Sequence, residues 1–482
     1  MRPTFGVSSL RSRSWRLLTV AILLLSAGCA VGPDYQRPEA TAIPKMYFGD
    51  LHEWKIATPS AHLPRGNWWE IFGDDELNGL QAEALEANQN LKAAVARYDQ
   101  ARSALNAAEA VQFPRLGVSA QPVYQHDSKH RPVGGRPDQS YDVTSVPFDF
   151  SYEIDLWGRV RRTVEAATAQ AEASADDVES VRLSMEAELA AAWIQLRSLD
   201  AEKAILEAGI EVYRKALELV QNRRSLGMVS DLDLAQAQTV LNSAQAQLTD
   251  IAVQRAKYQN AIALLCGKTA SLFQLPERPL PMVSMVVPTG LPSELLERRP
   301  DIAAAERRMA AANAGVGVAT AALYPTVKFS GIAGFQSSDL YQLFDWPSRY
   351  WAVGPSLSWP VFQGGQLEAA KRQSMAAYEE TVARYRQTVL NAFSDVETNL
   401  AAQNLIAEEI EQVSQALTSA RMQLEVATHR YRLGASTYLE VATAQNAALS
   451  IERSLVRLKG QQWMAVTALV KSLGGGWEGT TF

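Results

Sequence analysis

The sequence predicts a mixed α and membrane-β fold in which one design is written twice, and three observations predict it. The first is an internal echo. Gly227 matches Gly434, Leu232 matches Leu439, Asp233 matches Glu440 and Gln238 matches Gln445, and at the same offset Ser151 matches Ser358 and Gly158 matches Gly365. Arg97 with Arg308, and Phe113-Pro114 with Tyr324-Pro325, repeat the match at a slightly different offset. A period of roughly 200 residues is far longer than a solenoid repeat and marks two structural halves. The second is a pair of long alternating segments. Val146, Phe148, Phe150, Tyr152, Ile154 and Leu156 alternate with Pro147, Asp149, Ser151, Glu153 and Asp155. Trp351, Val353, Pro355, Leu357, Trp359 and Val361 alternate with small or polar residues. Long strands with aromatic ends are the mark of a membrane β-barrel, against the plainer reading of a half-buried soluble sheet. The third is helix length. Residues 161–226 contain no Pro and only Gly209, and 367–433 contain neither Pro nor Gly. Apolar residues recur there at spacings of three and four, and roughly 65 residues of helix reach about 100 Å.

In chain order, residues 1–28 read as a lipoprotein signal peptide. Arg2, Arg11, Arg13 and Arg16 precede the apolar run Leu17–Leu25, and Ser26-Ala27-Gly28 lead to Cys29. The run is too short to span a bilayer. Cys29 after Gly28 resembles a lipobox, which makes its thiol the expected lipid-attachment site; an ordinary signal with an incidental Cys is the alternative. Residues 29–66, rich in Pro, Gly and polar side chains, are expected to form an extended tether.

The first repeat is expected over 67–275. Asp74 or Asp75 caps a helix, a second helix runs from Asn90 to Val111, strands cover about 115–124 and 141–157, and long helices cover 158–226 and 231–265. Residues 276–292 are a connector. The second repeat, 293–473, carries strands at about 326–336 and 349–362 and long helices at 366–433 and 438–473. Residues 474–482 are a C-terminal tail.

The 482 residues are 47% hydrophobic, which supports a core. A net charge of −6 gives no reason to expect nucleic acid. With two Cys and Cys29 spoken for, Cys266 is expected to be a small buried residue and not half of a disulfide. His126 and His130 share a loop, but two His make too few ligands for zinc. There is no phosphate-binding glycine loop and no nucleophilic triad. No cofactor is expected beyond a covalent lipid on Cys29.

Four long strands cannot close a barrel, and an open edge cannot lie in lipid because each unpaired backbone group costs several kcal/mol. The chain is therefore expected to supply part of a shared barrel, in a symmetric ring with head-to-tail contacts.

These residues resemble the TolC-like outer-membrane factor family of tripartite efflux pumps, in its NodT-type lipoprotein branch. The resemblance covers nearly the whole chain. It is carried by Cys29-Ala30-Val31-Gly32-Pro33-Asp34-Tyr35 with Arg37-Pro38, Trp68-Trp69 with Phe72 and Asp74, Ser151–Arg159, Arg298-Arg299-Pro300-Asp301-Ile302, Ser358–Phe362 with Gly364-Gly365, and Arg430-Tyr431 with Gly434. It implies a homotrimer in which each chain gives four strands to one twelve-stranded outer-membrane barrel, continued by a long periplasmic helical barrel. It implies a location in the outer membrane, with a periplasmic adaptor protein and an inner-membrane pump as partners. It also implies that Gly227, Met228, Val229, Gly434, Ala435 and Ser436 form adaptor-contacting tips, and that Asp231, Asp233 and Glu440 are candidate aperture carboxylates, a solvated helix start being the alternative. Ala30 in place of an Asp fits export to the outer membrane.

Ser230-x-x-Asp233 and Thr437-x-x-Glu440 have the spacing of capping boxes, a role compatible with a tip. If the apolar face of the second strand meets lipid, Asp149, Glu153 and Asp155 face the lumen. The function expected is a passive duct exporting small molecules, with no catalysis. Three alternatives stand beside it. One is a duct for type I protein secretion or for metal efflux, the second is a lipid-anchored periplasmic coiled-coil scaffold, and the third is an enzyme on a helical frame.

Overall fold

The computed structural model describes residues 30–37, 66–126, 128–130, 140–278 and 299–475. Cys29, most of the connector (279–292) and the end of the tail (476–482) lie outside them. Within the described residues the order is α1 (Asp75–Ala87), α2 (Gln89–Ala110), β1 (Arg115–Val118), β2 (Gln121–His126), β3 (Ser140–Ile154), α3 (Arg159–Ser225), α4 (Asp231–Leu265), α5 (Pro300–Ala321), β4 (Thr326–Ser337), β5 (Arg349–Ser358), α6 (Gln366–Arg432) and α7 (Tyr438–Ser472), with short 3-10 turns between. The two long helices and their return helices are the same length in each half, 67 and 35 residues. No described helix is long and apolar enough to cross a membrane.

The chain divides into two compact units, one drawn from Met1–Glu39, Tyr98–Ser174 and Ala305–Tyr385, the other from Ala40–Arg97, Ala175–Ala304 and Arg386–Phe482. The first holds an antiparallel sheet in the order β1-β3-β4-β5, with β2 also paired to β3. The strand expected over 115–124 is two strands. Pro147 on β3 lies opposite the break at Ser119-Ala120, and it has no N–H to offer the ladder; its carbonyl still accepts from Ser119 N at 3.2 Å. On the other side Pro147 faces Gly334, where any Cβ would stand 2.3 Å from Val146 O, so only glycine fits. β3 ends at Ile154 and not at 157, because Asp155 turns back to cap α3. β5 ends at Ser358 and not at 362, because Trp359-Pro360 leaves the ladder.

The second unit is built on two apolar clusters. In one, Trp68, Trp69 and Phe72 pack with Leu77, Leu80 and Ala84 of α1, Trp193 and Leu196 of α3, and Ile262 of α4; Phe72 stacks on Trp463 at 5.1 Å. Asp74 Oδ1 caps α1 by accepting from Leu77 N at 2.9 Å. Cys266 is buried here, and burial pushes its thiol up to about 11, so it acts as an apolar residue. In the other cluster Leu206, Ile210, Tyr213 and Val220 of α3 pack with Ala237 and Leu241 of α4 and Tyr438 and Val441 of α7.

Between helices of this unit sits a buried ionic knot. Asp200 accepts from Arg197 Nη1 at 2.9 Å, Arg255 Nε at 2.6 Å and Arg278 N at 3.1 Å. The two arginines reach on to Pro276 O and Leu275 O, and Arg197 also pairs with Glu76. One carboxylate thus binds α3 and α4 to the segment that leaves α4, and Arg197 extends the knot to α1.

Candidate export duct: membrane face, tips and attachment strap

Strand register sorts the sheet into two faces. Phe148, Phe150, Tyr152 and Ile154 of β3 stand opposite Ala333, Gly331, Phe329 and Val327 of β4, which stand opposite Trp351, Val353, Pro355 and Leu357 of β5. This face is apolar throughout, and Trp351 (73%) and Leu357 (70%) are exposed. The reverse face carries Asp149, Ser151, Glu153, Lys328, Ser330 and Ser356. Asp149 and Glu153 therefore lie on the polar side of β3. Asp155 does not belong to the strand: its carboxylate accepts from Val160 N at 3.1 Å and Arg161 N at 2.9 Å, holding the start of α3. Glu153 is held by the Arg159 fork at 2.8 and 2.9 Å. From Trp351 on β5 to Trp359 just beyond its end, eight residue steps span about 27 Å, or about 20 Å of height at the usual tilt, close to an outer-membrane apolar band.

The two helical turns opposite each other in sequence share one geometry. Gly227 and Gly434 each have φ 74°. Met228 N donates to Arg223 O and Gly227 N to Arg224 O; Ala435 N donates to Arg430 O and Gly434 N to Tyr431 O. These paired bonds form a Schellman motif, which requires a left-handed residue and so favours glycine. Each turn displays apolar side chains, with Leu226 (74%), Met228 (69%) and Leu433 (71%) exposed. Leu226 and Leu433 were not among the expected tip residues; their place directly before the turn glycine in both halves is the signal that sets them beside those residues. Beside the second turn, a groove of about 710 Å³ between α6 and α7 is lined by Met422, Val426, Leu439 and Thr443 and edged by Arg430 and Glu440.

All three candidate aperture carboxylates have partners on their own hairpins. Asp231 pairs with Arg224, and Glu440 with Arg430 at 3.6 Å. Asp233 completes a capping box, accepting from Ser230 N at 3.0 Å while Ser230 Oγ accepts from Asp233 N at 3.2 Å. The second expected box does not form. Thr437 makes no side-chain cap bond, and Glu440 turns instead to Arg430. Ser230→Ala is therefore expected to cost ~1 kcal/mol and Thr437→Ala only a few tenths, read as the difference between their thermal unfolding midpoints in detergent. Arg223 joins the hairpins, lying 4.7 Å over the Tyr431 ring and donating to Tyr431 O at 3.1 Å. Burial pushes the Tyr213 and Tyr438 hydroxyls up to about 12, so both stay neutral.

The expected tether is partly a strap. Residues 30–37 have no regular structure, yet Val31 N donates to Trp157 O at 3.0 Å, Pro33 O accepts from Asn313 at 3.0 Å, and Asp34 accepts from Arg162 at 2.6 Å. Tyr35 donates to the buried Glu306 at 3.0 Å, and Arg37 donates to the buried Tyr385 hydroxyl at 2.9 Å. Burial first, then Glu306, pushes the Tyr35 phenol well above its ordinary range. The strap thus touches α3, α5 and α6, beginning at the junction of β3 and α3. With Tyr35→Phe and Tyr385→Phe together, the Tyr35–Glu306 bond and the two-pronged Arg37–Tyr385 contact are lost, ~1 kcal/mol for each contact. Hydrogen exchange at Val31 is expected to quicken about 30-fold.

His126 ends β2, its ring 3.0 Å from Ser140 Oγ. Among the described residues no group of three or more potential metal ligands forms.

The family model for outer membrane efflux protein matches residues 80–268 and 291–475. The solvent efflux pump outer membrane protein SrpC of Pseudomonas putida is 32% identical over 472 residues, covering 96% of this chain and 99% of that protein. Outer membrane protein OprJ of Pseudomonas aeruginosa is 30% identical over 485 residues, covering 99% and 97%. Among solved structures, the outer-membrane channel OprN superposes with a TM-score of 0.84 at 31% identity, covering 93% of this chain and all of that one. The outer membrane protein VceC of Vibrio cholerae superposes with 0.81 at 32% identity, covering 87% and 100%. The fold class expected from the sequence, long helices joined to a membrane sheet, is the one shared with these channels. The chain belongs to the outer membrane efflux protein family and is the outer-membrane component of an efflux system.

Proposed function

We propose that three copies of this chain close one twelve-stranded barrel and serve as a passive duct, without catalysis, for small molecules handed on by a periplasmic adaptor and an inner-membrane pump. The observation that carries the reading is the open sheet. It is four strands wide, its outward face is apolar, and among the described residues β5 on one side and β1 and β2 on the other have no further partner strand. A bilayer tolerates no such edges, so neighbouring copies must pair them. Cyclic closure with head-to-tail contacts does so without a special surface on any copy. The exposed apolar tips at Leu226, Met228 and Leu433 suit an adaptor, since apolar side chains displayed on ordered turns mark a contact site. Cys29 carries the lipid, and the strap from Ala30 holds that lipid at the β3–α3 junction.

The relatives' names include solvent, toluene and pyoverdine export, which supports small-molecule cargo here. On this reading selectivity resides in the pump and not in the duct. The test is the mass of the detergent-extracted protein. Three chains per particle supports the reading, and a monomer or dimer that remains fully folded contradicts it.

A further inference from the structure

The loop between β4 and β5 is held by its own hydrogen bonds, yet it displays aromatic rings. Asp339 Oδ1 accepts from Tyr341 N at 2.9 Å, Ser337 Oγ accepts from Asp339 N at 3.0 Å, and Ser348 Oγ donates to Gln342 O at 2.7 Å. Leu343 is buried beneath the loop, and Phe344 meets Phe335 edge-on at 5.7 Å. Even so, Tyr341 is 99% and Trp346 71% exposed. Ordered loops that hold large rings in the open point to a partner.

Arg349 sharpens the point. Its guanidinium lies 4.2 Å over the Trp346 ring, and its Nη1 donates to Trp346 O at 2.6 Å. The fork is thus pre-oriented, while most of its five donors remain available. Among the described residues no carboxylate pairs with it; Asp345, the acid nearest in sequence, does not cap its own turn and forms no ion pair with Arg349.

Register says where this pair sits. Arg349 stands opposite Phe335, two residues above Trp351 on the apolar face, at the end of the sheet away from the long helices. On the barrel reading, on which this inference rests, acyl chains end near Trp351 and headgroups begin at Arg349. An occupant must be apolar below, anionic at the fork, and flat enough to lie against Tyr341 and Trp346. Sugar rings meet aromatic faces well, and phosphate accepts an arginine fork bidentately.

We propose that Arg349 and Trp346 form a binding site for the phosphate of a phosphorylated glycolipid in the outer leaflet, with Tyr341 flanking its sugar. The test titrates the full-length protein in detergent with three probes: a phosphorylated disaccharide lipid, the same lipid dephosphorylated, and phosphatidylglycerol. Bound lipid is counted by native mass spectrometry. The expected result is a roughly fivefold or greater preference for the phosphorylated glycolipid over its dephosphorylated form, as one charge-assisted contact provides, and a smaller preference over phosphatidylglycerol, which offers the fork a phosphate but brings no sugar to Tyr341. Arg349→Gln should abolish the preference over the dephosphorylated lipid, and Arg349→Lys should restore only part of it, lacking the planar fork. Circular dichroism and particle mass check that the variants fold. If Arg349→Gln keeps the preference, the assignment is wrong. If phosphatidylglycerol competes equally, the glycolipid is not the ligand. If all probes bind both proteins alike, the site falls while the barrel stands. If none stays bound to the wild type, the site falls, and the barrel is judged separately by the particle mass.

Discussion

Asp200→Ala is expected to destabilise the helical unit by about 3–5 kcal/mol, the cost of removing one partner from a buried ionic cluster. The side chains of Asp200 and Arg197 are 2% and 1% exposed, so solvent cannot replace what is lost. Without the carboxylate, the buried Arg197 and the partly buried Arg255 are left as two like charges facing one another. Arg197 keeps Glu76, and both keep a backbone carbonyl, which is why the expected loss is not larger. Asp200→Asn should fall between, since an amide preserves one acceptor but not the charge. Differential scanning calorimetry in detergent reads both. A loss under about 1 kcal/mol for the alanine variant would mean that the knot opens to water in solution.

Val353→Arg is expected to cost about 2–4 kcal/mol per chain in barrel assembly, the penalty for a cation near the middle of the lipid face. Val353 is exposed on the apolar face of β5, paired with Gly331, whereas its neighbour Ala352 points to the reverse face opposite Ile332. Ala352→Arg should therefore assemble nearly as the wild type does. The contrast between adjacent residues separates a lipid-facing sheet from one merely packed in water, where both substitutions would be similarly mild. Recovery of intact particles from outer membranes, compared for the two variants, is the measurement.

Much of this fold was legible because its signals are periodic. The alternation over Val146–Ile154 and Trp351–Leu357 named the apolar face that the register shows. The long stretches without Pro, and with Gly209 as their one Gly, gave α3 and α6 within a residue or two of their ends. What periodicity hides is what single residues do to their neighbours across space. Pro147 was read as one polar-side position of a strand, but its missing N–H divides the strand facing it into β1 and β2. Asp155 continued the alternation perfectly and still left the strand, since the free N–H groups at the start of α3 are a better partner than an open ladder. The strap was invisible for the same reason. Asp34, Tyr35 and Arg37 find Arg162, Glu306 and Tyr385, residues 128 to 348 positions away. Capping spacing predicted two boxes, and only one forms, because Glu440 has Arg430 within reach.

Single-channel conductance in a planar bilayer tests the shared barrel most directly. It should be measured for the wild type and for a variant with Gly227 and Gly434 both changed to valine, which strains the left-handed turns at the tips. A duct predicts discrete, stable conductance steps, larger or more frequent in the variant as the tips loosen. Silence from both proteins, together with release from the membrane without detergent once Cys29 is replaced, would contradict the barrel and leave an anchored helical scaffold.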